Sequence, residues 1–171
     1  SLPKGLPVAF VLAQHIDERM QETLTHVLVR HNGMPCRIAA AGDRLVAGEL
    51  LIAPVASEID FTPEGGVIYR NSKWDGPYAP SIDQMIANVT RRFGSRAGAV
   101  IFSGIGGDGS ISGPILQEAG GFVWAQTAET SACSSQPDSM RATGAVTFNG
   151  SPTELAAHLV EHIRQRITMP A

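Results

Sequence analysis

Residues 97–126 constrain the fold most, because they spell out one complete structural unit. Residues 97–102 form a short apolar run without alternation, the pattern of a strand covered on both faces. A glycine-rich turn follows, Ser103-Gly104-Ile105-Gly106-Gly107-Asp108-Gly109, and then helical spacing over about 110–119. Gly120-Gly121 breaks that helix, and 122–126 is the next apolar run. Strand, helix and strand in that order make the unit from which parallel sheets are built.

The rest of the chain extends the pattern. Residues 8–13 are a second unalternating apolar run, read as a strand buried on both faces and ended by Gln14 and His15. Residues 17–30 read as a helix with Met20, Leu24, Val27 and Leu28 on its apolar side, stopped by Asn32-Gly33. Strands are expected at 35–40 and 49–53, and 58–62 with 66–70 should form a hairpin around Pro63-Glu64-Gly65. Ser81 can cap a helix reaching about Phe93, with Ile82, Met85, Ile86 and Val89 as its stripe. After a loop over 127–137, a short helix at 138–143 and a strand at 145–148 are expected. Ser151-Pro152-Thr153-Glu154 then opens a final helix with Leu155, Leu159, His162 and Ile163 inward. The expected fold is α/β: a doubly wound, mainly parallel sheet, Rossmann-like in three layers, with 58–70 as an added antiparallel hairpin. One domain is expected over 1–171.

Composition narrows the function classes. A formal net charge of -3 gives no broad basic footprint for nucleic acid. Arg91, Arg92 and Arg96 cluster, which reads as a solvated helix end. No apolar run reaches the roughly 20 residues of a membrane helix, so direct membrane insertion is not expected. Cys36 and Cys133 form no C-x-x-C pair and are expected to be free thiols in a reducing cytoplasm.

In an open parallel sheet, sites form beyond the carboxyl ends of the strands. Three such ends carry polar groups: Gln14-His15, the loop ending at Asp108-Gly109, and 126–135. His15 is either a catalytic imidazole or a helix-capping surface histidine. His158 and His162 stand four apart, as metal ligands can, but no third ligand is evident, and no metal is expected. Gly104-x-Gly106-x-x-Gly109 matches a dinucleotide fingerprint, with Glu129 placed for a ribose hydroxyl. Against that reading, Asp108 puts a carboxylate where backbone N–H groups should face an anion. A carboxylate there is better suited to accept the Nδ1–H of a histidine and fix its tautomer. Its bland alternative is a cap on the following helix.

Five segments, in order, resemble the catalytic domain of the chemotaxis receptor methylesterases, the CheB family. These are 8–15 ending in Gln-His; Ala41-Gly42-Asp43-Arg44-Leu45 with Leu51-Ile52-Ala53-Pro54; Pro80-Ser81-Ile82-Asp83; 100–109; and Ala125-Gln126 with Ser131-x-Cys133. The resemblance implies hydrolysis of glutamate γ-methyl esters, or deamidation of glutamine, on the cytoplasmic helices of a methyl-accepting chemoreceptor. It implies a Ser-His-Asp triad without cofactor or metal. It assigns His15 as general base, Asp108 as its orienting carboxylate, and the backbone N–H of Ile105 to the oxyanion. A receiver domain often accompanies this family's catalytic domain, and none is expected within 1–171.

The chain departs from the family's pattern in places that bear on function. The family's Gly-Ala-Ser-x-Gly-Gly nucleophile turn is absent. The expectation is therefore a domain whose first strand, nucleophile turn and first helix lie outside this chain. Such a chain should be inactive alone and prone to associate through the strand edge left open. Ile16-Asp17-Glu18 stands where the family has Met-Pro-Pro, Tyr78-Ala79 where it has His-Arg, and Ser134-Ser135-Gln136-Pro137 where it has an apolar residue, then Gly-Met-Pro. Two other readings stay open: a non-catalytic receptor-docking or signalling module of the same fold, and a dinucleotide-binding domain using Gly104, Gly106, Gly109 and Glu129.

Overall fold

The computed structural model describes residues 2–169. Strand β1 (Phe10–Leu12), helix α1 (Gln21–Asn32), β2 (Cys36–Ile38) and β3 (Leu50–Ile52) build the first sheet, parallel throughout, in the order β1-β3-β2. A hairpin of β4 (Ile59–Phe61) and β5 (Val67–Tyr69) follows, then helix α2 (Ile82–Phe93). The second sheet takes β6 (Gly98–Ile101), β7 (Phe122–Gln126) and β8 (Phe148–Gly150), again parallel, in the order β6-β7-β8. Helices α3 (Ser112–Glu118), α4 (Ser135–Ala142) and α5 (Pro152–Thr168) accompany it.

Alternation along β7 puts helices on both sides of the second sheet. Val123 joins the apolar cluster of Ile86, Leu116 and Met140 from α2, α3 and α4. Its neighbour Trp124 points the other way, where it meets His158 and His162 of α5. The sheet is thus doubly wound, as expected. Helix α2 ties the halves together. Its Val89 and Phe93 pack against both the cluster around β3 and the hairpin and the cluster around β7.

Burial follows the number of neighbours. Strands β3 and β7 lie between two partners, and Leu51, Ile52 and the 123–126 segment are buried. The expectation that 8–13 is a strand buried on both faces is corrected: β1 is shorter and half-buried, because β3 pairs with one of its edges. Strand β6 is also an edge, with Ala99 and Val100 half-buried and Phe102 exposed just beyond it. Helix α1 departs from its expected stripe as well. It packs along β2 at the sheet edge, so Leu24 and Leu28 are half-buried while Met20 and Val27 face solvent.

The last third differs in two boundaries. Helix α4 begins at Ser135, three residues before the expected 138, because Pro137 falls in the first turn, where no intrahelical N–H is needed. Strand β8 occupies Phe148–Gly150 and not 145–148. Pairing with Trp124, Ala125 and Gln126 sets its register, while Ala145 is taken into the core. Helix α5 begins with the expected cap, a capping box in which Ser151 and Glu154 bond each other's backbone. His158 lies flat on Phe148, and His162 meets Phe122 and Trp124 edge-on. The two imidazoles are therefore part of an aromatic cluster.

Candidate active site

Two strand ends meet at one hydrogen bond. His15 lies just beyond β1, and Asp108 lies in the glycine loop beyond β6. Their side chains join through His15 Nε2 and Asp108 Oδ2 at 2.7 Å. Asp108 is 4% exposed, whereas the imidazole keeps 27% of its side-chain surface in contact with solvent. One partner is thus a fixed anchor and the other can reach a substrate.

Helix α2 supplies the anchor. The N–H of Ile82 donates to Asp108 Oδ2 at 2.6 Å, and the N–H of Asp83 donates to Oδ1 at 2.9 Å. The next helical N–H, that of Gln84, donates to the Ser81 hydroxyl at 3.1 Å. The donors that every helix start leaves open are therefore taken, and the carboxylate sits at the positive end of the helix dipole. Asp108 does cap a helix, but it is α2, not the following α3 of the bland alternative. The start of α3 is capped in turn by Asp83, whose Oδ1 accepts the N–H of Ile111 at 3.1 Å and of Ser112 at 2.9 Å. The two helices cross-cap each other.

The bonded nitrogen corrects an expectation. The imidazole meets the carboxylate through Nε2, not through Nδ1. A carboxylate accepts at both oxygens, which assigns the donor role to Nε2 and leaves Nδ1 as the acceptor.

The glycine loop is held from the side by 133–139. The N–H of Gly104 donates to the Cys133 carbonyl, and the N–H of Gly106 donates to the Ser135 hydroxyl. The Gln136 side-chain amide donates to the Asp108 carbonyl at 3.1 Å. The Gln126 side chain accepts from the N–H of Ser103 at 2.8 Å. A Cβ on Gly104 would stand 2.5 Å from Gln136 Oε1, so a side chain there would displace the Gln136 amide that holds the loop. Gly109 is required by its backbone, with φ near 103°. The amides of Gly104 and Gly106 are thus spent on the protein and do not converge on open space as a phosphate cradle needs. Glu129 sits exposed in a single 3-10 turn over Ala128–Thr130. Ile105 is 79% exposed at the crest of the loop. Ser135 also acts on Cys133: its N–H and hydroxyl hold that thiol below its ordinary value.

One functional neighbour was visible in the sequence only as a departure. The Tyr78 ring stacks on His15 with centroids 4.7 Å apart and planes 5° from parallel. Asp83, Gln126 and Gln136 were named only within the segments compared with the family, and no supporting role was assigned to them. Their roles depend on contacts far along the chain, and an acid in a first helical turn gives no local sign that it caps a different helix.

A cleft of about 580 Å³ is lined by Glu18, Gln21, Ile38, Pro54 and Tyr69, with neither His15 nor Asp108 on its walls. Among the described residues no helix is long and apolar enough to cross a membrane.

Comparison with known proteins identifies the family. The family model described as CheB methylesterase matches residues 1–159. A protein-glutamate methylesterase/protein-glutamine glutaminase of Burkholderia thailandensis is 31% identical over 144 residues, covering 84% of this chain and 42% of that protein. One from Anaeromyxobacter dehalogenans is 32% identical over 171 residues, covering 96% of this chain and 49% of the relative. The chain thus spans about half the length, or less, of these relatives. The crystal structure of the Thermotoga maritima CheB methylesterase catalytic domain superposes with a TM-score of 0.88 at 23% identity, covering 94% of this chain and 86% of that one. With the family model matching residues 1–159 and relatives 31–32% identical over most of the chain, this chain belongs to the CheB methylesterase family.

Proposed function

We propose that this chain forms most of the catalytic domain of a protein-glutamate methylesterase. It would hydrolyse glutamate γ-methyl esters, and deamidate glutamine, on the cytoplasmic helices of a methyl-accepting chemoreceptor. The observation that carries this reading is the His15–Asp108 bond joining the carboxyl ends of β1 and β6. The names of the relatives support the substrate class. A part-exposed imidazole on a buried carboxylate suits a substrate presented on another protein.

The nucleophile in this reading is a serine outside the chain, on a strand lying between β1 and β6. Each of those strands has a ladder partner on one edge, and the apolar residues Phe10, Val11, Leu12, Ala99 and Val100 are half-exposed. Catalysis then runs through Nδ1 of His15. It takes the serine proton as Oγ attacks the ester carbonyl, and the oxyanion accepts the N–H of Ile105. The imidazolium, held through Nε2 by Asp108, protonates the leaving methanol. Water, activated by the same nitrogen, then releases the glutamate. A receiver domain elsewhere in the protein would control access, and the cytoplasm is the compartment that fits such a receptor face.

The test uses the natural full-length protein. A serine-directed fluorophosphonate should label one serine outside 1–171 and block methanol release from methylated receptor, and His15→Gln should abolish both. Labelling of Ser103, Ser110 or another serine of this chain would overturn the assignment of the nucleophile. Unimpaired release by His15→Gln would overturn the enzyme reading.

A further inference from the structure

The reaction as written leaves Tyr78 unused, yet this residue covers the base. Its ring lies 5° from parallel to the His15 imidazole at 4.7 Å. Its hydroxyl reaches the oxyanion loop, 3.3 Å from where a Cβ on Gly106 would stand. Tyr78 is 36% exposed, so burial in the core does not account for its place. It stands just before Pro80 and Ser81, both buried, at the entry to α2, whose first N–H groups hold Asp108. The same short segment therefore grips the base from two directions.

These two contacts restrain different motions. The Nε2–Oδ2 bond fixes the ring along one line, and only the tether from Cγ to Cβ opposes a turn about that line. Nδ1 lies off the line, so such a turn would sweep the accepting lone pair away from an attacking hydroxyl. A flat ring against one face of the imidazole blocks the turn. We propose that Tyr78 is a positioning residue for the general base: by stacking on His15, it fixes the plane in which Nδ1 accepts the nucleophile's proton. This rests on the reading of His15 as the base.

The experiment compares Tyr78→Phe and Tyr78→Leu in the full-length protein. Two quantities are read: kcat and KM for methanol release from methylated receptor, and the NMR order parameter of the His15 ring after selective labelling, with His15→Gln giving the assignment. Tyr78→Leu should lower kcat by about 3- to 10-fold, the worth of one aromatic pair, with KM little changed. The His15 order parameter should fall with it, and Tyr78→Phe should restore both. An unchanged order parameter in the Leu variant overturns the proposal, as does a lowered one with unchanged kcat. A Phe variant as impaired as Leu also overturns it, because the hydroxyl and not the stack would then matter. If the wild-type protein releases no methanol, the esterase reading fails, and the order parameter alone decides whether Tyr78 orders His15.

Discussion

Replacing Asp108 separates its two tasks, because both its oxygens accept from α2 while Oδ2 also holds His15. In Asp108→Ala, the N–H groups of Ile82 and Asp83 lose their acceptors at a position 4% exposed. Each unsatisfied buried donor costs about 1–3 kcal/mol, and water entering the vacated polar space returns part of it, so about 2–4 kcal/mol should be lost. Asp108→Asn keeps one acceptor oxygen for one of those donors and sets an amide NH₂ against the other. It should cost about 1–2 kcal/mol. Urea titration followed by tryptophan fluorescence reads this directly, since Trp74 and Trp124 are both buried. The Asn variant should nevertheless abolish nearly all turnover in the full-length protein, by about 10⁴-fold, because its amide donates to Nε2 and imposes the wrong tautomer. Wild-type urea midpoints for both variants would refute the claim that Asp108 anchors α2. An active Ala variant would refute its role toward His15.

Three further outcomes follow from named contacts. Asp83→Ala should cost about 1 kcal/mol and lower hydrogen-exchange protection at Ser112, because it uncaps α3. Burial pushes the Asp60 carboxyl up, but Arg70, the N–H of Phe61 and Arg91 outweigh it and hold the group below its ordinary value. Its contribution is then complete above the unfolded carboxyl value of about 3.9 and is lost as pH falls below it. Asp60→Asn should flatten that acid limb in a urea series at several pH values. Burial, Arg166 and His158 push the His162 imidazole below its ordinary value. The unfolded chain therefore takes up a proton near pH 6.5, about where free histidine titrates, while the fold does not. Stability should fall as pH drops from there toward the folded value, and His162→Phe should remove that slope.

How much of the fold was legible depended on where local and distant signals agreed. The unit from β6 to β7 was readable because apolar run, glycine turn, helical period and glycine stop all named the same boundaries. Its second strand falls on Phe122–Gln126, as expected. The hairpin was equally plain, since Pro63-Glu64-Gly65 leaves the chain little choice but to reverse. Strand β8 was misplaced because β7 sets its register across the sheet, and no local preference records that. The apolar side of α1 was misjudged for a related reason. Helical spacing identifies a stripe, but how much of it meets a core depends on what stands at the sheet edge.

The site was legible in its residues and hidden in its wiring. His15 and Asp108 could be named because each follows an apolar run at a strand's carboxyl end, where an open parallel sheet places its chemistry. Which imidazole nitrogen meets the carboxylate is a matter of one side-chain rotation, and sequence carries no trace of it. The supports of Asp108 come from α2, a helix that precedes it in the chain by more than a loop and a strand. Asp83 returns the favour by capping α3. A carboxylate that merely ended its own turn could shift with the turn. One that accepts from α2 while α2 caps α3 can shift only if both helices move, and these pack against each other across the shared core. The orientation of His15 is therefore a property of helix packing, so substitutions between α2 and α3, such as at Ile86 or Leu116, should disturb His15 without touching it.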